Sequence, residues 1–197
     1  MRRRVADAAG LYRVEGFGMK RILNVSRFNA AGLIAAIGLL MLGAALAFQY
    51  WGGLEPCNLC IEQRKAWAAA VVLATLALFA EGKSRIAVSL ALIALAGIAT
   101  LIGAGVAAFH VGVEQQWWAG TKACGAGFSG FGQGGIADLR EQLLNRPLVR
   151  CDQVPWSMLG ISMAGWNGLV ALAAGIGALY IVVIDTLKIR QGRTIST

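Results

Sequence analysis

Apolar residues in this chain form long unbroken blocks that short polar stretches separate. The blocks cover residues 30–48, 66–80, 86 to about 113, and about 161–184. About 20 apolar residues in an α-helix cross a hydrocarbon core of ~30 Å, so we predict four membrane-spanning helices. The second block is short, which places the charged turn before it at the membrane interface or against the bundle interior.

The connections between the blocks differ in length, from a tight turn between the second and third to a long segment at about 114–156. We find neither an internal repeat nor a linker that would divide the chain. The sequence therefore predicts one four-helix domain, residues 29–187, between an N-terminal segment of residues 1–28 and a tail of residues 188–197. Met19 is an alternative start, which would make the residues before it an extension.

The long segment contains two different patterns. Residues 125–135 are rich in glycine, which favours a mobile chain. Ile136, Leu139 and Leu143 then recur at helical spacing beside charged residues, a pattern typical of a short amphipathic helix on a membrane surface. The predicted fold is an all-α membrane protein, a four-helix bundle whose long loop carries that short helix.

Composition supports the membrane assignment, because 57% of the residues are hydrophobic and the mean hydropathy is +0.64. The side with both termini carries 12 of the 18 Lys and Arg residues and four acids, whereas the other side carries six of each. Basic residues concentrate in cytoplasmic loops, so we assign the termini to the cytoplasm and the long loop to a bacterial periplasm. The net charge of +8 lies on flanks that meet the lipid bilayer, and we expect no nucleic-acid binding.

The four cysteines form two pairs, Cys57 with Cys60 and Cys124 with Cys151, on the side where disulfides persist. Pro56 favours a helix that begins beside Cys57. A thiol in the first turn of a helix has a lowered pKa, because it faces free backbone N–H groups. Since Cys57 and Cys60 are also close enough to form a disulfide, the pattern indicates redox chemistry.

A zinc site and inert buried thiols are two alternative interpretations of the cysteines. A structural zinc ion takes four ligands, but Cys124 and Cys151 lie on a flexible loop and the only histidine, His110, lies in the third span. We therefore predict no metal and favour electron transfer between dithiols.

Arg64 and His110 lie near the outer ends of predicted spans. Arg64 shares a helical stripe with Cys57 and Cys60, and a guanidinium at that depth needs a partner, either a thiolate or a ligand oxygen. An arginine that only extends to the interface fits the spacing equally well. His110 joins the same site if the third span packs beside the second, although it also fits an interfacial hydrogen-bonding role. Glu62 and Gln63 are weaker candidates for the site.

The motif Glu55-Pro-Cys-Asn-Leu-Cys-Ile-Glu-Gln-Arg64 precedes His110, Cys124 and Cys151, and Trp156-Ser-Met-Leu-Gly-Ile-Ser-Met163 leads into the last span. With these residues in this order, the chain resembles the DsbB family over about residues 28–187. That family re-oxidises the periplasmic dithiol oxidase DsbA and passes the electrons to a membrane quinone. The resemblance implies a thiol oxidase of the bacterial inner membrane, with a DsbA-like partner and with ubiquinone or menaquinone from the quinone pool as acceptor.

The resemblance implies roles for the residues on the quinone side. Cys57 and Cys60 would be the quinone-linked pair, with Cys60 as the thiolate partner of the quinone ring. Arg64 would hold a quinone oxygen, and His110 would assist on the same side.

The resemblance also makes Cys124 and Cys151 a shuttle pair. Cys124 would form the mixed disulfide with DsbA, and Cys151 would exchange with Cys57. Two features depart from the family, namely Gln63 in place of an expected acid and the glycine-rich stretch after Cys124. They bear on the tuning of the site and on the identity of the partner.

Two further functions compete with this one. A vitamin K epoxide reductase type enzyme also couples loop cysteines and a membrane Cys-x-x-Cys to a quinone, but there the loop cysteines come first, whereas here Cys124 and Cys151 follow. A non-enzymatic membrane scaffold would use the disulfides only to staple its outer loops, and it predicts that Arg64 is replaceable.

Overall fold

The structure, a computed structural model, describes residues 27–83, 85–121, 124 and 150–194. These residues form four long helices and one short hairpin. The helices are α1, Arg27–Tyr50; α2, Asn58–Gly82; α3, Ile86–Glu114; and α4, Met163–Thr194. Each is long and apolar enough to cross a membrane, which confirms the predicted four-helix membrane bundle.

The helices extend beyond the apolar blocks, because polar residues at the block ends continue them. α2 begins at Asn58 rather than at 66, so the charged turn before the second block is part of the helix. α4 continues to Thr194, into the predicted tail. The segment before residue 27, the glycine-rich stretch at 125–135 and the predicted amphipathic helix at 136–143 lie outside the described residues.

A small antiparallel hairpin precedes α4, and the sequence patterns did not predict it. Strands β1 (Ser157–Met158) and β2 (Ile161–Ser162) pair through Ser157 with Ser162 and Met158 with Ile161. The two residues between them, Leu159 and Gly160, both have positive φ, 55° and 77°, as a tight type I′ hairpin loop requires. The apolar pattern predicts a last span that begins near 161, whereas β2 occupies 161–162 and the helix begins at Met163.

Small residues allow the helices to approach closely. α3 packs against both α2 and α4. A Cβ added to Gly97 in α3 would lie 2.9 Å from the Cβ of Ala178 in α4, and one on Gly103 would lie 3.0 Å from that of Ala66 in α2. Helix association in lipid depends on such close packing, and the largest buried core accordingly consists mainly of alanine.

A buried ion cluster joins three helices at the end of the bundle away from the cysteines. The Nε of Arg27, at the start of α1, donates a hydrogen bond of 2.8 Å to Glu81 near the end of α2. Its Nη1 lies 3.7 Å from a carboxylate oxygen of Asp185 in α4. All three side chains are buried, so this ion cluster fixes the relative positions of α1, α2 and α4.

Candidate functional site

Cys57 caps the N-terminus of α2, as the proline before it predicts. Its backbone is extended, with φ −73° and ψ 170°, and its Sγ accepts a hydrogen bond of 3.2 Å from the backbone N–H of Cys60. The two sulfurs lie 2.9 Å apart, and both residues are free thiols. A helix that begins at this position therefore brings the Cys-x-x-Cys sulfurs together.

The two thiols of this pair are not equivalent. The Cys57 thiol donates to the Cys60 sulfur and is buried, and these two effects raise the pKa of Cys57 above the usual range of a cysteine. This is the opposite of the lowered pKa that the sequence predicts for a first-turn thiol, because Cys57 is the donor of the pair. Cys60 is the sulfur that accepts, so negative charge on the reduced pair rests on Cys60.

The second pair is a disulfide that lies against the first. Cys124 and Cys151 are bonded, with Cα atoms 5.1 Å apart, and both are buried. Together with Leu59 and Val113, they belong to the same buried cluster as Cys57, and Cys60 packs against that cluster. The structure thus brings the four cysteines to one place, although the two pairs are far apart in sequence.

His110 lies between the two pairs and is buried. Its Nε2 is 3.6 Å from the Sγ of Cys57, and the backbone of Cys151 lies next to the ring. The two sulfurs of Cys57 and Cys60 and one ring nitrogen all lie within 4.8 Å of one another, so these atoms could also hold a metal ion. α3 therefore places the imidazole where the predicted exchange between Cys57 and Cys151 would occur.

Glu114 is a buried acid beside His110 that the sequence analysis overlooked. One carboxylate oxygen lies 3.8 Å from Nε2 of His110, and the other has no hydrogen-bond partner among the described residues. The available signal was an acid one helical turn after the histidine, at the end of an otherwise uncharged span. An unpaired carboxylate oxygen at this depth is costly, which marks the region as a place for polar chemistry.

Arg64 is held by α1 rather than by a sulfur. Its guanidinium donates to the side-chain oxygen of Gln49, at 2.5 Å, and to the backbone carbonyl of Ala45, at 3.0 Å. Among the described residues, the guanidinium therefore has its hydrogen bonds to α1 and none to a sulfur, and the partner predicted for it, a thiolate or a ligand oxygen, stays a prediction. A guanidinium has five N–H donors, so these two bonds leave donors for a ligand oxygen.

A cavity of about 260 Å³ opens beside Cys60. The lining residues with polar groups include Glu55, Cys60, Gln63, Arg64, Trp67, His110, Glu114 and Asn167. The rest of the wall is largely apolar and includes Met41, Leu42, Phe48, Trp156, Met163 and Trp166. Such a cavity suits a flat apolar molecule that carries a few polar atoms.

Cys57 does not line this cavity. One sulfur of the pair thus faces the cavity, whereas the other belongs to the cluster with the loop disulfide. The Cys-x-x-Cys pair therefore connects the two compartments of the site.

Gln63, Trp67 and Asn167 line the same cavity and are joined to His110 by hydrogen bonds, and sequence patterns gave them little or no weight. The indole N–H of Trp67 donates to Asn167, which donates to Gln63, whose amide nitrogen lies 3.0 Å from Nδ1 of His110. Gln63 and Trp67 follow Cys60 at helical spacing, which was a usable signal. For Asn167 the only signal was its polarity within the last span.

The chain is similar to known proteins over most of its length. The family described as disulfide bond formation protein DsbB matches residues 26–181. Similar proteins named disulfide bond formation protein B come from several bacteria. That of Methylococcus capsulatus is 34% identical over 143 residues, which cover 71% of this chain and 84% of that protein. That of Acidovorax sp. is 32% identical over 165 residues, which cover 82% and 87%. No solved structure matches the chain.

Proposed function

The chain belongs to the DsbB family, and from this membership and the geometry of its site we propose a complete electron route. The protein is a disulfide oxidoreductase of the membrane. In the proposed route it re-oxidises a DsbA-like dithiol oxidase and passes the electrons to a membrane quinone, which is the route that keeps a bacterial periplasm oxidising.

The observation that carries the proposal is the single buried cluster that contains both cysteine pairs. The two thiols of the partner reduce the Cys124–Cys151 disulfide through a mixed disulfide with Cys124 and are themselves oxidised to a disulfide. The new Cys124/Cys151 dithiol then reduces a Cys57–Cys60 disulfide by exchange between Cys151 and Cys57. A disulfide at Cys124–Cys151 beside free thiols at Cys57 and Cys60 corresponds to the state after that internal step.

The cavity beside Cys60 supports the quinone part of the proposal. A bound quinone takes up two electrons and two protons and leaves as a hydroquinone. The apolar wall would hold the ring, and the free N–H donors of Arg64 would bind a ring oxygen. Cys60 lines this cavity and is the acceptor sulfur of its pair. The donor set fits ubiquinone and menaquinone alike, because both present ring oxygens.

The distribution of charge supports a periplasmic position for the four cysteines. The end of the bundle with Lys83, Arg85 and Lys188 belongs to the side with the excess of basic residues, and that side is cytoplasmic by the positive-inside rule. In a bacterial inner membrane the cysteine end would then meet the periplasmic partner. A membrane-impermeant maleimide added to spheroplasts should label a Trp51→Cys variant whose four native cysteines are serine, because Trp51 is 89% exposed at the cysteine end, and protection of that introduced thiol would contradict this orientation.

The direct test is quinone-dependent oxidation of a reduced DsbA protein by the purified full-length chain in detergent. We expect turnover with ubiquinone or menaquinone, its loss in Cys60→Ser and Cys124→Ser, and a trapped mixed disulfide between Cys124 and DsbA in Cys151→Ser. Normal turnover by either of the first two variants would overturn the relay.

The same variants distinguish the competing functions. A scaffold whose disulfides only staple loops predicts no quinone-dependent turnover in the wild type. An enzyme of the vitamin K epoxide reductase type predicts turnover without a requirement for the DsbA partner.

A further inference from the structure

Six side chains form one line of hydrogen bonds that follows the wall of the cavity and ends on the two thiols of the Cys-x-x-Cys pair. We call this line the donor chain; it consists of Trp67, Asn167, Gln63, His110, Cys57 and Cys60. The first three donor–acceptor distances along it are 2.7, 2.5 and 3.0 Å. The last two, which end on the sulfurs of Cys57 and Cys60, are 3.6 and 2.9 Å. The donor chain crosses from α2 to α4, returns to α2 and then passes through α3.

Trp67 fixes the direction of the donor chain, because an indole N–H can only donate. The atom of Asn167 that faces Trp67 must be the carbonyl oxygen, so the amide nitrogen of Asn167 faces Gln63. By the same reasoning, Gln63 turns its oxygen toward Asn167 and its nitrogen toward His110. Nδ1 of His110 therefore accepts, and the proton of the neutral ring lies on Nε2, which lies 3.6 Å from the sulfur of Cys57 and 3.8 Å from a carboxylate oxygen of Glu114, with the backbone of Cys151 also beside the ring.

We propose that the donor chain holds His110 as its Nε2–H tautomer and directs each hydrogen bond toward Cys60, the sulfur that lines the cavity. Trp67, Asn167 and Gln63 act as positioning residues for this tautomer, since each orients the next group and none touches a sulfur, and all three also line the cavity. Trp67, Gln63 and His110 are only 3%, 5% and 3% exposed, so water does not compete for their bonds. The tautomer of His110 does not depend on the proposed function. Only the consequence of that tautomer for electron transfer rests on the proposed function.

The tautomer also bears on the possible metal site at Cys57, Cys60 and His110. A histidine that binds a metal presents an unprotonated nitrogen and donates its other ring N–H to an acceptor. Gln63 presents a donor to Nδ1, so the donor chain opposes metal binding through Nε2. The same arrangement supports a thiol site, because Nε2–H can donate to the sulfur of Cys57.

Asn167→Asp reverses the donor chain without touching His110 and without a change in side-chain size. A carboxylate accepts from both Trp67 and Gln63, so the Gln63 amide must turn its oxygen to Nδ1, and the ring proton moves to Nδ1. His110 is the only histidine of the chain, so ¹⁵N-labelled histidine in the purified, reduced full-length protein reports this tautomer directly by NMR. We expect Nε2–H in the wild type and Nδ1–H in Asn167→Asp.

The matched control is Asn29→Asp, which makes the same change at an exposed position of α1, at the other end of the bundle. It should keep the wild-type ring signals. If Asn167→Asp is unstable in detergent, Gln63→Glu makes the same test, because its carboxylate accepts from both Asn167 and Nδ1.

Cys60 provides a second readout. We expect iodoacetamide to alkylate Cys60 about tenfold more slowly in Asn167→Asp than in the wild type. The reason is that the variant loses the hydrogen bond from His110 to Cys57, which supports the reactive sulfur of Cys60. A wild-type ring protonated on Nδ1 or on both nitrogens, or an unchanged tautomer in the variant, would overturn the donor chain. If only the donor chain is wrong, the wild type still shows quinone-dependent turnover. If the tautomers are as expected but the wild type shows no quinone-dependent turnover, only the proposed function is overturned.

Discussion

The two ends of the bundle both bury polar side chains, but they satisfy them differently. At the end away from the cysteines, Arg27 forms ion pairs with Glu81 and Asp185 across three helices, although its Nη1 and the nearby Asp185 oxygen have no hydrogen-bond partner among the described residues. At the cysteine end, Arg64 and Glu114 face a cavity with donors and an acceptor that no described residue occupies. At the ion-cluster end the charged side chains have protein partners, whereas at the cysteine end hydrogen-bonding groups of Arg64 and Glu114 remain available to a ligand.

This difference separates stability from function. Burying a charge costs free energy unless a partner compensates for it. The ion cluster recovers that cost by holding α1, α2 and α4 together. At the cysteine end, Gln49 and Ala45 compensate for the charge of Arg64 only in part, and substrate groups would supply the rest, so its polar residues should matter for turnover more than for folding.

The largest effect on stability should come from Arg27→Met. The substitution removes the buried guanidinium between Glu81 and Asp185, two buried carboxylates, which costs about 3–5 kcal/mol of unfolding free energy. Thermal unfolding in detergent should show the loss, while the protein that remains folded oxidises DsbA at the wild-type rate.

Arg85→Met is the matched control, because Arg85 is exposed at the same end of the bundle. It should be close to neutral. Replacement of Arg27, Glu81 and Asp185 together by apolar residues should recover most of the stability, since no unpaired charge then remains. Loss of turnover in folded Arg27→Met would contradict the division between the two ends.

A smaller effect, on turnover rather than on folding, is expected from Arg64→Gln. The variant removes the guanidinium donors proposed for a quinone oxygen, and charge-assisted hydrogen bonds contribute about 1.5–3 kcal/mol. Quinone-dependent turnover should therefore fall roughly 10- to 100-fold, whereas transfer of electrons from Cys124/Cys151 to Cys57/Cys60 without quinone should keep its rate. Lys65→Gln, at the exposed neighbouring position, is the control. An equal loss in the internal step would show that Arg64 acts on the cysteines instead.

The fold was largely predictable because a membrane imposes it. A chain in lipid must satisfy its backbone hydrogen bonds internally, so four apolar blocks of sufficient length become four helices. The start of α2 was missed by that criterion, since Glu62, Arg64 and Lys65 interrupt the apolar block. Helix-start chemistry at Pro56 and Cys57 was the better guide, because an N-cap does not depend on hydropathy.

The site was predictable only in part, because its residues come from different helices. Spacing on α2 placed Arg64 near the cysteines, but it did not reveal that α1 supplies its partners through Gln49 and Ala45. The bonds that join Asn167 to Gln63 and Trp67 span sequence separations of 104 and 100. No local pattern encodes such pairs, since they depend on which faces of α2 and α4 meet. The assigned roles of the cysteines, Arg64 and His110 stay predictions until the variants are measured.

The smallest effect should come from the hairpin at the cysteine end, where stability can change without turnover. Leu159 has a positive φ of 55° and is 86% exposed, and a left-handed conformation costs a residue with a Cβ about 1–2 kcal/mol. Leu159→Asn creates the Asn-Gly sequence that this loop type prefers, so we expect unfolding free energy to rise by about 1 kcal/mol with unchanged quinone turnover. Leu159→Ala removes the same exposed side chain but keeps the strain. The difference in unfolding free energy between the Asn and Ala variants therefore isolates the cost of the left-handed backbone conformation. If Asn is no more stable than Ala, the hairpin carries no strain that the sequence could relieve.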